Sequence, residues 1–201
     1  MDNNNVPIDS TEFYFPLEMF PVLNSKYIEV TPNNFEYQNS IVEGKFDEFL
    51  IKWYSKQLFA LNEPLLFNKN QDKEIYRFTY LRTFDNPISI RIEKDKTGIY
   101  LTWKKSDGKG GFEPGKIIID RQCNLNLKDW ILFKSKIRKA NFWNLELGRS
   151  ITGEDGSEWI LEGFTPENYR VITMWSLPAG DFYETCIYLI SLTDLELEKK
   201  Y

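Results

Sequence analysis

Four acidic residues fall close together in the stretch GEDGSEWILEG at 153–163, namely Glu154, Asp155, Glu158 and Glu162. Paired carboxylates can act as general acid and base, and clusters of carboxylates can bind calcium. The stretch lacks the Asp-x-Asn/Asp-x-Asn/Asp-Gly pattern with a distant Glu that a calcium loop requires. Asp155-Gly156 is instead a strong turn dipeptide, so the sequence predicts a turn that leads into a β-strand.

Alternation along this predicted strand places Glu158 and Glu162 on one face and Trp159 on the other. In another predicted strand, Arg91 lies on the face that is opposite to the face of the isoleucines. Arg170 belongs to the predicted strand that follows the one containing Glu162. One interpretation is a groove in which a glutamate transfers a proton and an arginine binds an anion. This chemistry requires burial or a like charge to raise the carboxyl pKa. The alternative is a solvated ladder of ion pairs, each contributing roughly a few tenths of a kcal/mol.

A second motif, GGFEPGK at 110–116, has the Gly-x4-Gly-Lys spacing of a phosphate-binding loop. Ile117 stands where that motif needs Ser or Thr to hold magnesium, and Pro114 removes a backbone N–H. The residues KIIID that follow predict a strand, whereas phosphate binding requires the N-terminus of a helix. The motif therefore does not predict a nucleotide site.

The composition excludes several classes of function. The chain has 201 residues and no histidine, which removes the usual base for a Ser or Cys nucleophile and the commonest transition-metal ligand. We therefore predict no Ser-His or Cys-His catalysis, no metal site and no other cofactor. The formal net charge of -5 is the wrong sign for a protein that neutralises phosphates, so nucleic acid is not an expected partner.

The sequence also indicates a location. No run approaches the roughly 18 apolar residues of a membrane-spanning helix, so no membrane association is expected. The first residues, MDNNNVPIDSTEFYFPLEMFP, lack a basic start and are interrupted by acids and prolines, which disfavours a signal peptide. Cys123 and Cys186 are then expected to be free thiols, and the expected location is the cytoplasm.

Hydrophobic periodicity predicts the elements that must position the candidate residues. Apolar residues recur at spacings of three and four between 46 and 61, which predicts a helix, and the period changes to two from Ile75 onward. A second helix is predicted after Asn126 as its cap. In GDFYETCIYLISL, Asp181 stands three residues before Glu184 as in a capping box, which predicts a third helix capped by Asp181, with a strand as the alternative. Strands are predicted in EIYRFTYLRTF, ISIRIEK, GIYLTWKK and KIIIDRQ as a meander, and in SEWILEGF and YRVITMWS as a hairpin.

These elements predict an α+β fold, with an antiparallel sheet of about six strands and helices packed on one face. We expect a single domain over residues 1–201. Residues 1–40, which are rich in Asn and Pro, are predicted to form an extended N-terminal arm, and residues 44–192 the α+β body.

The run DGSEWILEGF with the later TMWSLPAGDFYE, preceded by NPISIRIEKDKTG and GGFEPGKIIIDRQ, resembles a family of uncharacterised bacterial proteins. That family has an Asp-Gly-x-x-Trp hairpin followed by Trp-Ser near Pro and Gly, and the resemblance covers about residues 75–192. It implies no catalytic activity. Of the positions that it brings forward, Glu162 and Ser176 have polar groups that a core does not explain. The full set is Asp155, Gly156, Trp159, Glu162, Trp175 and Ser176.

Two hypotheses of function follow from these observations. The first is a non-catalytic, cytoplasmic bacterial protein that binds a protein partner or a small ligand, for example an immunity-type protein that neutralises a basic toxin. The second is a metal-free enzyme that acts on a small anionic substrate with sheet-face carboxylates and arginines. The candidate binding residues are Arg91, Glu158, Glu162, Arg170 and Ser176.

Overall fold

The computed structural model describes residues 1–32, 34–67, 72–146, 155–177 and 179–197, with the backbone alone at 25, 27 and 34–39. It contains three α-helices: α1 (Glu48–Ala60), α2 (Leu127–Lys139) and α3 (Asp181–Ser191). The strands are β1 (Pro21–Thr31), β2 (Asn34–Phe46), β3 (Glu74–Arg82), β4 (Ile88–Lys94), β5 (Ile99–Ser106), β6 (Ile117–Asn124), β7 (Ser157–Thr165) and β8 (Asn168–Trp175).

Six of these strands form one sheet in the order β6-β5-β4-β3-β7-β8. Every neighbouring pair is antiparallel. Strands β3 to β6 are the predicted meander, and the predicted hairpin β7–β8 pairs with β3. The predicted α+β class with a six-stranded antiparallel sheet is therefore confirmed.

Helices α2 and α3 pack on one face of the sheet, which we call the apolar face. Trp130, Phe133 and Ile137 of α2 are buried against a cluster of sheet side chains that includes Phe78 and Trp159. The side chain of Asn126 caps α2 as predicted, because its Oδ1 accepts a hydrogen bond from the N–H of Asp129 at 3.0 Å. None of the helices in the described ranges is long and apolar enough to cross a bilayer.

The predicted helical state of GDFYETCIYLISL is confirmed, although the helix begins differently from the prediction. Asp181 was predicted to cap α3, but Gly180 takes the cap position and Asp181 is the first helical residue. Cys186 of α3 is buried in the core, and both it and the half-buried Cys123 are free thiols. Burial raises the pKa of the Cys186 thiol well above its ordinary value.

Helix α1 lies on the opposite face, which we call the polar face. The prediction that helices pack on one face is correct for α2 and α3, but α1 packs on the other face. Its buried residues Leu50, Tyr54 and Leu58 join a cluster with Leu81 and Ile160 of the sheet. In the sheet register these positions alternate with the residues of the apolar face, so the strands between the two layers are buried on both sides.

The N-terminal segment differs from the predicted extended arm. Pro21 to Phe46 form the two-stranded hairpin β1–β2, with Thr31 paired to Asn34 at its tip. Pro32 and Asn34 mark the turn, and the stretches on either side of it contain β-branched and aromatic residues that favour strands. Before the hairpin, the aromatic residues Tyr14, Phe15 and Phe20 pack on α1, where the N–H of Tyr14 donates to Ser55 Oγ at 2.9 Å.

Gly163 of β7 offers a test of packing on the apolar face. A Cβ at this position would lie 2.7 Å from Cε1 of Phe142 and 3.0 Å from Cε1 of Tyr76, both of them buried rings. We expect Gly163→Ala to lower the free energy of unfolding by about 1–3 kcal/mol in urea denaturation, because overpacked cores must shift. Gly98→Ala is the control, since its nearest neighbour is the hydroxyl end of Tyr100. Equal stability of the two variants would contradict the close packing at Gly163.

Candidate ligand-binding site

The polar face carries two cross-strand rows of polar side chains. Directly opposed residues of antiparallel strands point to the same face, so the register alone defines the rows. The first row crosses β6, β5, β4, β3 and β7 and consists of Gln122, Thr102, Arg91, Arg77 and Glu162. The second row, one step along the strands, consists of Asp120, Lys104, Ser89 and Thr79. Charged groups from five strands are thereby brought together on one face.

Arg77 and Glu162 form the most deeply buried ion pair of this face, and both residues are 0% exposed. Nε and Nη2 of Arg77 each lie 2.6 Å from Oε2 of Glu162. Nη1 of Arg77 donates to the carbonyl oxygen of Pro64 at 2.6 Å, and the hydroxyl of Tyr169 donates to Glu162 Oε1 at 2.9 Å. These partners offset the desolvation of both charges, as a buried pair requires.

Glu63, in the loop after α1, adds a further buried carboxylate to the same face. Its Oε2 accepts from Nε of Arg91 at 3.0 Å, and its carboxylate lies 3.5 Å from Nζ of Lys104 and 3.6 Å from Nη1 of Arg77. The loop brings Glu63 into place through Asn62, whose φ of 52° is left-handed and whose carbonyl accepts from Lys104 Nζ at 2.6 Å. One carboxylate from α1's side of the protein thus contacts three cations of the sheet.

Glu63 and Glu162 differ in their pKa because they differ in the number of cations around them. Burial alone raises the pKa of Glu63, but Arg91, Lys104 and Arg77 outweigh it and hold this pKa below its ordinary value. Glu162 has only Arg77 and the Tyr169 hydroxyl, so burial prevails and raises its pKa. Burial and the charge of Glu162 also raise the pKa of Tyr169 well above its ordinary value, which keeps this phenol protonated as a donor.

The structure places the predicted site residues in three different environments. Arg91, Glu158 and Glu162 lie on the polar face, and both glutamates are 0% exposed. Arg170 lies on the apolar face, because it pairs with Gly163, whereas Glu162 pairs with Val171. The predicted group of two glutamates and two arginines is therefore not assembled, and Arg77 occupies the position beside Glu162.

Ser176 has a structural role at the end of the β7–β8 hairpin. Its Oγ accepts from the N–H of Ser157 at 3.1 Å, and its own N–H donates to the Ser157 carbonyl at 2.7 Å. A Cβ on Gly156 would lie 2.1 Å from Ser176 Oγ, so this contact requires glycine there. The predicted turn at Asp155-Gly156 is thus tied to Ser176 rather than to a ligand. Glu154, the first of the four acids, lies outside the described residues.

Sequence analysis overlooked Arg77 and Glu63, the two residues that organise the network. A signal existed for Arg77, because predicted pairing of the first two meander strands puts it opposite Arg91, and two opposed arginines need an acid between them. Glu63 stands among apolar residues in LNEPLL, where a charge is unusual. Its partners are 14 or more positions away in the chain, so no local pattern names them.

A cavity of about 480 Å³ lies beside the Arg91 end of this network. Its floor is formed by β4, β5 and β6, one wall by the first residues of the chain, and the other wall by the loop after α1. The lining side chains are mainly charged groups and amides. They are Asn3, Asn4, Asn5, Val6, Asn62, Pro64, Leu65, Leu66, Lys73, Ile75, Arg91, Glu93, Thr102, Lys104, Asp120 and Gln122.

The wall formed by the N-terminus is held by specific hydrogen bonds. Oδ1 of Asp2 accepts from the N–H groups of Asn4 and Val6, both at 2.8 Å. Asn5 has a left-handed φ of 66°, which Asn tolerates better than most residues, and its Nδ2 donates to the carbonyl of Leu65 at 2.7 Å. The first residues are therefore docked on the loop that carries Glu63.

The inner part of the cavity has more cations than acids. Lys73, Arg91 and Lys104 face Glu93, and Glu63 lies behind them, which makes three positive groups against two negative ones. Nζ of Lys73 lies 2.6 Å from Oε1 of Glu93. Even so, burial and then repulsion from Arg91 lower the pKa of Lys73. The inner cavity therefore favours an added negative charge.

A second cavity of about 650 Å³ lies at the end of the sheet formed by the β7–β8 turn and the start of β3. Two of its cations form ion pairs: Lys134 lies 2.5 Å from Glu74, and Lys96 pairs with Asp72, with both members of the latter pair largely exposed. Exposed pairs of this kind contribute little and are easily hydrated. Lys73 lines both cavities, but only the smaller one contains the largely buried cations Arg91 and Lys104, so it is the better candidate site.

The glycine-rich loop at 110–116 packs on α1 and does not line the candidate cavity. The indole N–H of Trp53 donates to the Gly110 carbonyl at 2.8 Å, and Nε2 of Gln57 donates to the Phe112 carbonyl at 3.0 Å. The loop leads into strand β6, as its sequence predicts. Within the described residues, no group of Cys, Asp and Glu side chains is arranged to hold a metal ion.

Comparison with protein-family models and with curated proteins finds no match for this chain. The resemblance of residues 75–192 to a bacterial family therefore stays a prediction.

The lowered pKa of Glu63 predicts a pH dependence of stability. A carboxyl whose pKa is lower in the folded state stabilises the protein above its unfolded pKa of about 4.3, and this contribution is lost as pH falls through the folded pKa. We expect the difference in free energy of unfolding between wild type and Glu63→Gln to be largest at neutral pH. This difference should shrink as the pH falls below about 4.3 toward the lower pKa of Glu63 in the folded state. Denaturant titrations at a series of pH values measure it. The exposed Glu113→Gln is the control and should show no such convergence.

Arg77 offers a test of the buried pair. Arg77→Met should lower the free energy of unfolding by about 3–5 kcal/mol, because it leaves Glu162 charged and buried without its partner. Glu162→Leu in the same chain should recover part of this loss, since it removes the stranded charge. Arg138→Met, at an exposed position of α2, is the control. A double variant as unstable as the sum of the two single variants would show that the two charges are not coupled.

Proposed function

We propose that this protein is a non-catalytic binding protein whose ligand is a small hydrophilic molecule with a negatively charged group. The observation that carries the proposal is the cavity of about 480 Å³ with Arg91, Lys104 and Lys73 in its inner lining. Ligand sites of this size are usual for small molecules, and a few convergent polar groups fix the orientation of the ligand.

The buried network prepares two of these cations, Arg91 and Lys104, for binding. Glu63 holds Arg91 and Lys104 in fixed positions, so little side-chain freedom remains to be lost when a ligand enters. A site whose groups are already ordered binds more tightly than one whose side chains must be immobilised. The excess of one positive charge in the inner cavity favours a carboxylate or phosphate group.

Binding accounts for the geometry better than catalysis does. Glu162 has the raised pKa that a proton-transfer residue needs, but it does not line the cavity and is bonded to Arg77 and Tyr169. A general acid or base must reach the atom to which it transfers a proton. The hypothesis of a metal-free enzyme therefore lacks its central residue at this site.

The cytoplasm of a bacterium is the location that we propose for this binding function, from the sequence features and the family resemblance described above. Binding of a protein partner, for example a basic toxin, is the other form of the binding hypothesis. The cavity favours a small ligand, because its charged groups lie inside a concave site and not on an open surface.

Titration with acetate and with inorganic phosphate tests the proposal. We expect saturable shifts of the backbone amides of Asn4 and Asn5 and of the side-chain amide of Gln122 in two-dimensional NMR spectra. Lys73→Met should raise the dissociation constant about tenfold, equivalent to about 1.4 kcal/mol. Lys128→Met removes the same charge from an exposed position of α2 and should leave binding unchanged. Absence of saturable shifts with either anion, or equal loss in both variants, would reject the proposal.

A further inference from the structure

The charges that line the candidate cavity differ between its inner and its outer end. Lys73, Arg91 and the acid Glu93 line the inner end, on or beside the central strands, whereas Asp120 lines the outer end on β6, an edge strand of the sheet. Thr102 and Lys104 lie on β5 between these ends, and Lys104 is directly opposite Asp120. A molecule that reaches from Arg91 to the edge strand would meet cations at its inner end and a carboxylate at its outer end.

Asp120 is not neutralised by the lysine that stands opposite it. Lys104 and Asp120 are cross-strand partners on the polar face, but the Lys104 ammonium is 2.6 Å from the Asn62 carbonyl and 3.5 Å from Glu63. Lys104 is 5% exposed and thus committed to the interior, whereas Asp120 is exposed. Within the described ranges, the Asp120 carboxylate forms no ion pair or hydrogen bond.

The spacing of the two ends suits one small molecule. Arg91 and Asp120 are two strands apart and one two-residue step apart along the strands. Strand spacing of about 4.8 Å and a rise of about 3.4 Å per residue put their backbones roughly 12 Å apart. Two charged groups of a single short molecule can span this separation and contact both side chains.

We infer that the ligand of this cavity is a small zwitterion, whose anionic group binds near Arg91 and Lys73 and whose cationic group pairs with Asp120. This inference rests on the proposed function and adds the second charge of the ligand. A free carboxylate at the mouth would repel a ligand that is only anionic, because like charges repel each other. A ligand amine removes this repulsion and gives the carboxylate a partner.

Matched pairs of probes test the inference. γ-Aminobutyrate and butyrate differ by one amine, as do ε-aminocaproate and caproate, so each pair isolates the contribution of the cationic group. By NMR titration, we expect at least one amino compound to bind about fivefold or more tightly than its partner without the amine. Asp120→Asn should abolish this preference and leave or improve the binding of butyrate and caproate.

Asp155→Asn is the control, because it removes the same charge from an exposed turn that does not line the cavity. It should retain the preference for the amino compounds. If acetate binds but amino and plain acids bind equally, the zwitterion inference is overturned while the proposed function stands. If the preference persists in Asp120→Asn, Asp120 is not the partner of the amine and the inference is also overturned. If no probe binds, including acetate and phosphate, the proposed function itself fails.

Discussion

The neutralisation of charges buried between α1 and the sheet is the constraint on which the rest of the structure depends. Each ion removed from water costs several kcal/mol unless partners surround it. Arg77 lies in a central strand of the sheet and pairs with two acids, Glu162 from the next strand and Glu63 from the loop after α1. The sheet can be covered on this face only when that loop is in place.

The loop in turn orders the start of the chain. The hydroxyl of Tyr14 donates to the Glu63 carbonyl at 2.8 Å, and its ring lies beside the guanidinium of Arg77. Asn5 binds the same loop at Leu65. The N-terminal residues therefore belong to the folded body through polar contacts, and the cavity that they wall is a product of the same network. Arg91 and Lys104 in this cavity are held in place because they neutralise the buried Glu63.

Local patterns were sufficient for the elements from α1 onward, but not for the β1–β2 hairpin or for the site. ISIRIEK has bounds identical to those of β4, and the cap of α2 was identified from Asn126 alone, since both depend on neighbours in the chain. Amphipathic spacing defined α1 but could not say which face of the sheet it covers. Alternation along the sequence shows which residues of the strand share a side with Arg170. Only the register with β7, in which Arg170 pairs with Gly163, shows which face of the sheet that side belongs to. The cavity combines the N-terminus, a loop and three strands, which are brought together by long-range contacts.

The burial of β3 on both faces has a consequence for hydrogen exchange. This strand is bonded to β4 and β7, lies under α2 and α3 on one side and under α1 on the other, and is buried from Ile75 to Arg82. Its amides can exchange with solvent only when nearly the whole fold opens, so their protection should measure the global free energy of unfolding. The β1–β2 hairpin is paired mainly within itself, and its amides should report local opening. One exchange experiment would then separate the stability of the charge network from that of the hairpin.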